Sequence, residues 1–176
     1  MSKAFTNEDD AGDALIPRPE LPLPPGAKNY LTPAGHRRLL DERAQLADEE
    51  RPRLLTRTGV PGAVGAEAKA RLQEVETRLA YLEESLRRAE VPAVPAAPHD
   101  VVRFGATVTV RDPKGRDTVY RIVGADEADF SRDEVSWVSP IARALLNARR
   151  GTKVMFRFPA GITALEIVRI AYEPTP

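Results

Sequence analysis

The sequence predicts an α+β protein: an N-terminal antiparallel α-helical hairpin of coiled-coil type, followed by a small antiparallel β-sheet domain with one short helix. Three observations predict it. Across residues 66–90 the positions Ala68, Leu72, Val75, Leu79, Leu82, Leu86 and Ala89 alternate steps of four and three, the seam of a coiled coil. A Gly- and Pro-rich stretch at 58–65 separates this segment from a preceding one of matched length. After residue 100 the apolar period shortens to two, as a half-buried strand requires.

Residues 1–29 begin acidic and continue IPRPELPLPPGAKN, with Pro17, Pro19, Pro22, Pro24 and Pro25 and little apolar material. An extended or disordered arm is expected there. Order should begin at Tyr30. Thr32 before Pro33 is a helix start, because the hydroxyl accepts an orphan N–H and proline at the first helical position gives up an N–H that had no partner. Residues 33–58 read helical, with Gly35 weakening the first turn and Pro52 removing one backbone bond and kinking the helix. Leu39, Leu40, Leu46, Ala47, Leu54 and Leu55 supply the stripe facing the 66–90 seam, and the short turn between the arms forces them antiparallel. A seam of this kind also suits a homodimer, but the Gly-Pro turn between equal arms favours pairing within one chain, so a monomer is expected.

Residues 91–99, VPAVPAAPH, read as a linker to a second domain over 100–176. Thr107 to Val110 and Thr118 to Val123 alternate around the turn Asp112-Pro113-Lys114-Gly115, a β-hairpin. Val135 to Val138 is a short strand carrying Trp137. Ser139-Pro140 repeats the cap-plus-proline start ahead of a short helix with Ile141, Ala144 and Leu145 inward. Val154, Phe156 and Phe158 alternate in a further strand, Pro159-Ala160-Gly161 reverses the chain, and Leu165, Ile167, Val168 and Ile170 complete the sheet.

Composition narrows the function. In 176 residues Lys plus Arg and Asp plus Glu each number 26, so nothing global attracts nucleic acid or an anionic membrane. No apolar run approaches the roughly 18 residues of a membrane span and the N-terminus is not signal-like, so a cytoplasmic location and no membrane partner are expected. With no Cys and only His36 and His99, thiol catalysis and zinc knuckles are excluded, and neither histidine has a catalytic partner in the sequence.

Several runs resemble a known family. Glu50-Arg51-Pro52 and Ala89-Glu90-Val91 in the hairpin are similar to the coiled-coil half of the bacterial Gre transcript-cleavage and elongation factors. In the C-terminal half the resemblance lies in Phe104-Gly105-Ala106-Thr107-Val108, Tyr120-Arg121-Ile122-Val123-Gly124, Asp126-Glu127-Ala128-Asp129, Ser136-Trp137-Val138-Ser139-Pro140-Ile141-Ala142-Arg143-Ala144-Leu145-Leu146 and Pro159-Ala160-Gly161. It covers about residues 30–173. The resemblance implies a C-terminal domain similar in fold to FK506-binding prolyl isomerases, which docks on RNA polymerase at the mouth of its secondary channel. Ser139, Pro140, Ala142, Arg143, Leu145 and Leu146 are the candidate docking residues. The hairpin would enter the channel, where family members use tip carboxylates to help hold a second Mg²⁺ at the polymerase active site and so stimulate hydrolysis of backtracked RNA.

This chain departs from the family at the tip. Where the family reads approximately Gly-Asp-Leu-Ser-Glu-Asn-Ala-Glu-Tyr, the tip here is Gly59-Val60-Pro61-Gly62, continuing Ala63-Val64-Gly65-Ala66, and no acidic residue lies from Arg51 to Ala66. The hairpin is also shorter by about two helical turns in total. A tip without carboxylates cannot hold Mg²⁺, so no catalytic residue, metal ligand or cofactor is expected in this chain; Mg²⁺ enters only as the polymerase's own ion. Glu67 reads as a dipole-stabilising residue in the first turn of the second arm rather than as a ligand. Arg51, Arg53 and Arg57 make the distal first arm basic and are candidate contacts to RNA phosphates or the channel wall, or else a solvated face. The acids Asp126, Glu127, Asp129, Asp133 and Glu134 are expected exposed in one loop, facing either a basic partner or solvent. The leading expectation is an elongation regulator that binds polymerase, contacts nucleic acid only indirectly and does not itself stimulate cleavage. A Gre factor that still promotes cleavage is the alternative within the family; a prolyl isomerase or a coiled-coil adaptor is the alternative outside it.

Overall fold

The computed structural model describes residues 23–24, 26–158 and 161–173. Most of the expected arm, the reversal at Pro159-Ala160 and the inward or outward placement of the Phe158 side chain lie outside what is described. The described chain mixes helices with a five-stranded sheet: a helical N-terminal region and a sheet domain, as the sequence predicts.

The first arm begins one residue earlier than expected, because Asn29–Tyr30 (β1) pairs in parallel with Ala89–Glu90 (β2) where the second arm ends. Thr32 caps helix α1, Pro33–Ala44, by accepting the Gly35 N–H at 2.9 Å, with Pro33 at the first position. The arm then widens into a π-helical turn, Gln45–Glu50, before α2, Arg51–Thr58. Proline explains the place of the wide turn: Pro52 has no N–H for the carbonyl four residues back, and its ring would crowd that carbonyl. The seam explains its use. Leu39 and Leu46 are buried seven apart, and a further step of seven would bring Arg53 inward; the extra residue of the wide turn brings Leu54 inward instead. Leu55, expected in the stripe, is 46% exposed for the same reason.

Gly62, at φ 84°, starts the return arm, and α3 runs Ala63–Arg88, about 39 Å at 1.5 Å per residue. It starts three residues before the expected Ala66, so Glu67 lies in its second turn rather than its first. Gly65 is inside the helix because a Cβ there would sit 1.9 Å from the Val60 carbonyl oxygen, where the turn folds back on α3. Ala68, Val75 and Leu82 are buried, with Leu72, Leu79, Leu86 and Ala89 packed around them against Leu39, Leu46 and Leu54. Glu42–Arg78 (2.8 Å), Glu50–Arg71 (2.8 Å) and Arg51–Glu76 (3.5 Å) cross between the arms, and their register shows that the arms run in opposite directions.

The sheet contains β3 Ala106–Arg111, β4 Asp117–Val123, β5 Glu134–Ser136, β6 Lys153–Phe158 and β7 Gly161–Tyr172, in the order β5-β4-β3-β7-β6. It is not wholly antiparallel: β5 pairs in parallel with β4, because the chain crosses over through two single 3₁₀ turns, Ala125–Glu127 and Phe130–Arg132, instead of a hairpin. The short helix α4, Pro140–Leu145, follows Trp137, which lies just beyond β5. Ile141, Ala142 and Leu145 of α4 close the core over Val108, Val110, Ile122, Val135, Leu165, Ile167 and Ile170. Ala142 replaces Ala144 on the inner face expected from spacing.

Candidate functional site

Three regions carry the sequence-derived candidates: the tip of the arms, the surface of α4 and the acidic loop between β4 and β5. At the tip, Gly59, Val60, Pro61 and Gly62 are all exposed, and Val60 and Val64 are each 44% exposed beside Leu55. The turn therefore presents an apolar end without a carboxylate. Just behind it the exposed Arg51 and Arg53 pair with Glu76 at 3.5 Å and Glu49 at 3.6 Å, surface pairs of about 0–1 kcal/mol that leave both guanidinia available. Arg57 is exposed and forms no ion pair among the described residues. No group of three or more His, Asp or Glu that could hold a metal ion occurs among the described residues.

The six candidate docking residues divide between surface and core. Ser139 caps α4 by accepting the Ala142 N–H at 3.3 Å, and Pro140 occupies the first turn. Ala142 and Leu145 are fully buried and Leu146 packs partly against the core, so these three set the helix's position but offer little to a partner. Pro140 and Arg143 are exposed and form the reachable part of the motif, with Ser139 half-buried between them.

The acidic loop corrects the sequence-based expectation most clearly. Glu127 and Glu134 are 3% and 2% exposed, and the loop's acids bind the helical region of the same chain. The Glu127 carboxylate accepts the Thr32 backbone N–H at 2.9 Å, the Thr32 hydroxyl, and the Gly124 N–H at 2.7 Å. Arg38 lies 3.8 Å from Glu127 and 3.3 Å from Glu134, and Arg121 approaches Glu134 from the sheet side at 3.3 Å. Asp126 accepts the Tyr81 hydroxyl at 2.5 Å and the Ser85 hydroxyl, and Asn29 reaches it at 3.5 Å. Asp129 caps its own turn by accepting from Ser131, and among the five acids Asp133 alone is exposed.

Burial pushes the Glu127 carboxyl above its ordinary value, with the three hydrogen bonds and Arg38 opposing that rise. Two glycines make the approach possible: a Cβ on Gly35 would lie 1.7 Å from a Glu127 carboxylate oxygen, and one on Gly124 would lie 2.3 Å from the Tyr30 carbonyl oxygen. Tyr30 packs on Phe104 and Trp137, with ring centroids 5.6 and 5.4 Å apart, so an aromatic contact flanks the polar one. The sequence by itself shows Thr32 only as a helix cap. The signal for its second role was Gly35, a residue unfavourable in a helix interior unless something approaches closely.

Together these regions define a two-part factor: a sheet domain with a capped helix exposed at Pro140 and Arg143, joined through Glu127 and Glu134 to helical arms whose tip is apolar and basic. Its relatives place it more narrowly, and the chain belongs to the GreA/GreB family of transcription elongation factors. The family model described as "Transcription elongation factor, GreA/GreB, C-term" matches residues 97–172. The chain is 37% identical over 155 residues to the transcription elongation factor GreB of Neisseria meningitidis serogroup B, covering 82% of this chain and 94% of that protein. It is 36% identical over 152 residues to GreA of Hyphomonas neptunium, covering 81% and 97%. Among solved structures, the GreA factor homolog 1 of Thermus thermophilus is 26% identical, with 82% and 99% of the two chains covered and a TM-score of 0.38.

Proposed function

We propose that the chain is an elongation regulator that docks on bacterial RNA polymerase at the mouth of its secondary channel through the sheet domain, inserts its helical arms as a coiled-coil hairpin, and does not itself stimulate transcript cleavage. The observation that carries the last clause is the tip: between Arg51 and Ala66 there is no carboxylate to offer to Mg²⁺, a hard ion that takes oxygen ligands. Pro140 and Arg143 are the side chains of the docking motif available to the polymerase. The buried joint at Glu127 and Glu134 ties the arms to the domain that carries that motif, so docking brings the tip with it. Arg51, Arg53 and Arg57 then face whatever polyanion the channel holds, RNA included. The first arm fills the α3 seam within the same chain, which supports a monomer. A cytoplasmic location follows from the partner.

The test uses purified chain added to stalled, backtracked elongation complexes in Mg²⁺, with RNA length followed over time, alone and together with a cleavage-stimulating Gre factor. The expected result is no faster release of the 3′ fragment by this chain and inhibition of the stimulating factor. Faster release would make the chain a cleavage factor despite its tip. No release, no inhibition and no binding to polymerase would remove the docking reading itself.

A further inference from the structure

We propose that the cavity between the first arm, the 91–99 linker and the sheet domain binds a small organic carboxylate with an apolar body, whose charge is taken by Arg37 and Arg121. The cavity holds about 250 Å³ and is walled by Pro33, Pro92, Val94 and Phe104, with the two guanidinium groups also in its lining. A cavity of about 150 Å³ takes a benzene ring, so this one has room for a ring and a carboxyl group. Mostly apolar walls with a few polar groups, set where two parts of a fold meet, are the usual make-up of a small-molecule site. Such walls favour an apolar body, and a guanidinium favours a carboxylate that it can hold with two parallel N–H groups.

Arg121 supplies the sharper observation. Elsewhere in the chain an arginine grips one carboxylate with Nε and Nη2 together: Arg78 holds Glu42 at 2.8 and 3.1 Å, and Arg111 holds Asp117 at 2.7 and 3.0 Å. In Arg121 only Nη2 of that pair is engaged, by Glu173 at 2.5 Å, while Nη1 reaches Glu134 at 3.3 Å. Its Nε is buried with no hydrogen-bond partner among the described residues. A buried donor without an acceptor is costly, and a carboxylate lying side-on would complete the fork. Glu173 is 55% exposed, so its hold on Arg121 gains little over water and an entering carboxylate can displace it. Arg37 is exposed and forms no ion pair among the described residues, so its charge is available to the same ligand. Glu173 is therefore both a stand-in and a rival: it marks where a carboxylate binds and competes for the place. Because the lining comes from the first arm, the linker and the sheet domain, a bound ligand joins all three and stabilises their folded arrangement by mass action.

Benzoate is the probe, titrated into the isotope-labelled full chain at constant ionic strength. The backbone amide signals of Ala34, Ala93, Val94 and Gly105, all in the lining, should shift together and saturate in the millimolar range. Acetate, with the charge but no body, and benzamide, with the body but no charge, should each bind about tenfold more weakly. Arg37→Gln should weaken benzoate about fivefold, the upper end for one exposed ion pair. Glu173→Gln removes the rival carboxylate and should tighten benzoate severalfold, a gain that a merely structural role for Glu173 would not produce. Ala34→Leu fills the cavity without touching its charges and should abolish the saturable shifts, with a melt of each variant confirming that it is folded. Absence of saturable shifts at those amides in the parent chain overturns the proposal. Acetate or inorganic phosphate binding as tightly as benzoate also overturns it, because the site would then be a general anion patch; benzamide binding as tightly overturns it from the apolar side. Benzoate affinity that is unchanged or weakened in Glu173→Gln removes the carboxylate from Arg121 and overturns the proposal as stated. None of these readouts involves polymerase, so the result is independent of the function proposed above.

Discussion

The carboxylate of Glu127 accepts both the backbone N–H and the hydroxyl of Thr32, a residue 95 positions earlier in the chain, and so fastens the first turn of the helical region to the loop after β4. Glu127→Ala leaves the Thr32 and Gly124 N–H groups and the Thr32 hydroxyl buried without that partner. A loss of about 3 kcal/mol is expected in urea unfolding, at the usual cost of about 1–3 kcal/mol per orphaned group after partial relaxation. Glycine substitutions make the comparison sharper. Gly35→Ala and Gly124→Ala drive a methyl into Glu127 and Tyr30 and should each cost about 1–3 kcal/mol or more. Gly59→Ala, at φ −77° with nothing within 4 Å, should be neutral or slightly stabilising. Equal midpoints for all three would mean that the joint is not close-packed.

The same carboxyl gives a pH signature. Because burial raises the Glu127 pKa in the folded chain, its favourable contribution is fully present below the ordinary value of 4.5 and is lost as pH rises through the raised one. Asp112, Asp117 and Glu84 are shifted the other way by Arg116, Arg111 and Arg87, so what they contribute is lost only as pH falls below the ordinary carboxylate range. The two windows do not coincide. The stability of the parent chain relative to Glu127→Gln, followed by urea midpoint, should therefore decline as pH rises from about 4.5 toward neutrality. A flat or rising difference would mean that Glu127 is not titrating from a buried state.

The wide turn at Gln45–Glu50 makes the first arm tolerant of a one-residue change that the second arm cannot absorb. Deleting Asp48 together with Pro52→Ala brings Leu54 seven residues after Leu46, so a regular helix keeps it on the seam, and melting should move by only a few degrees. Deleting the exposed Glu76 from α3 shifts the phase between Val75 and Leu82, two buried seam residues, and should cost several kcal/mol. Helical content and melting temperature by circular dichroism separate the two outcomes; equal losses would show that the wide turn does not set the register.

These elements also show how far the sequence could be read. The four-three spacing from Ala68 to Ala89 and the cap-proline starts at Thr32 and Ser139 specify local structure through contacts within a few residues, and all appear in the structure. The parallel placement of β5 was not legible, because strand direction depends on a crossover whose path is set by core packing rather than by its own alternation. Burial of Glu127 and Glu134 was hidden for a related reason: an acidic loop reads as solvated unless the residues that will pair with it, here Thr32, Arg38 and Arg121, are known to be neighbours. At α4 the motif was plain, but its division between inward Ala142 and Leu145 and outward Pro140 and Arg143 required the structure.

That division makes the docking reading testable residue by residue. Arg143 is exposed and forms no ion pair among the described residues, so Arg143→Glu should change stability by no more than about 0.5 kcal/mol, as for most surface substitutions. If α4 meets polymerase, the same reversal replaces an attractive interfacial charge with a repulsive one, lowering the association rate and weakening binding roughly tenfold, with the effect shrinking as salt is raised. Ala142→Asp, in contrast, buries a carboxylate in the sheet core and should unfold the domain, losing binding together with the melting transition. Binding measured by interferometry on immobilised polymerase, beside a melt of each variant, distinguishes the two. Unaltered affinity for Arg143→Glu at low salt would remove α4 from the interface and shift the search to another face of the sheet domain.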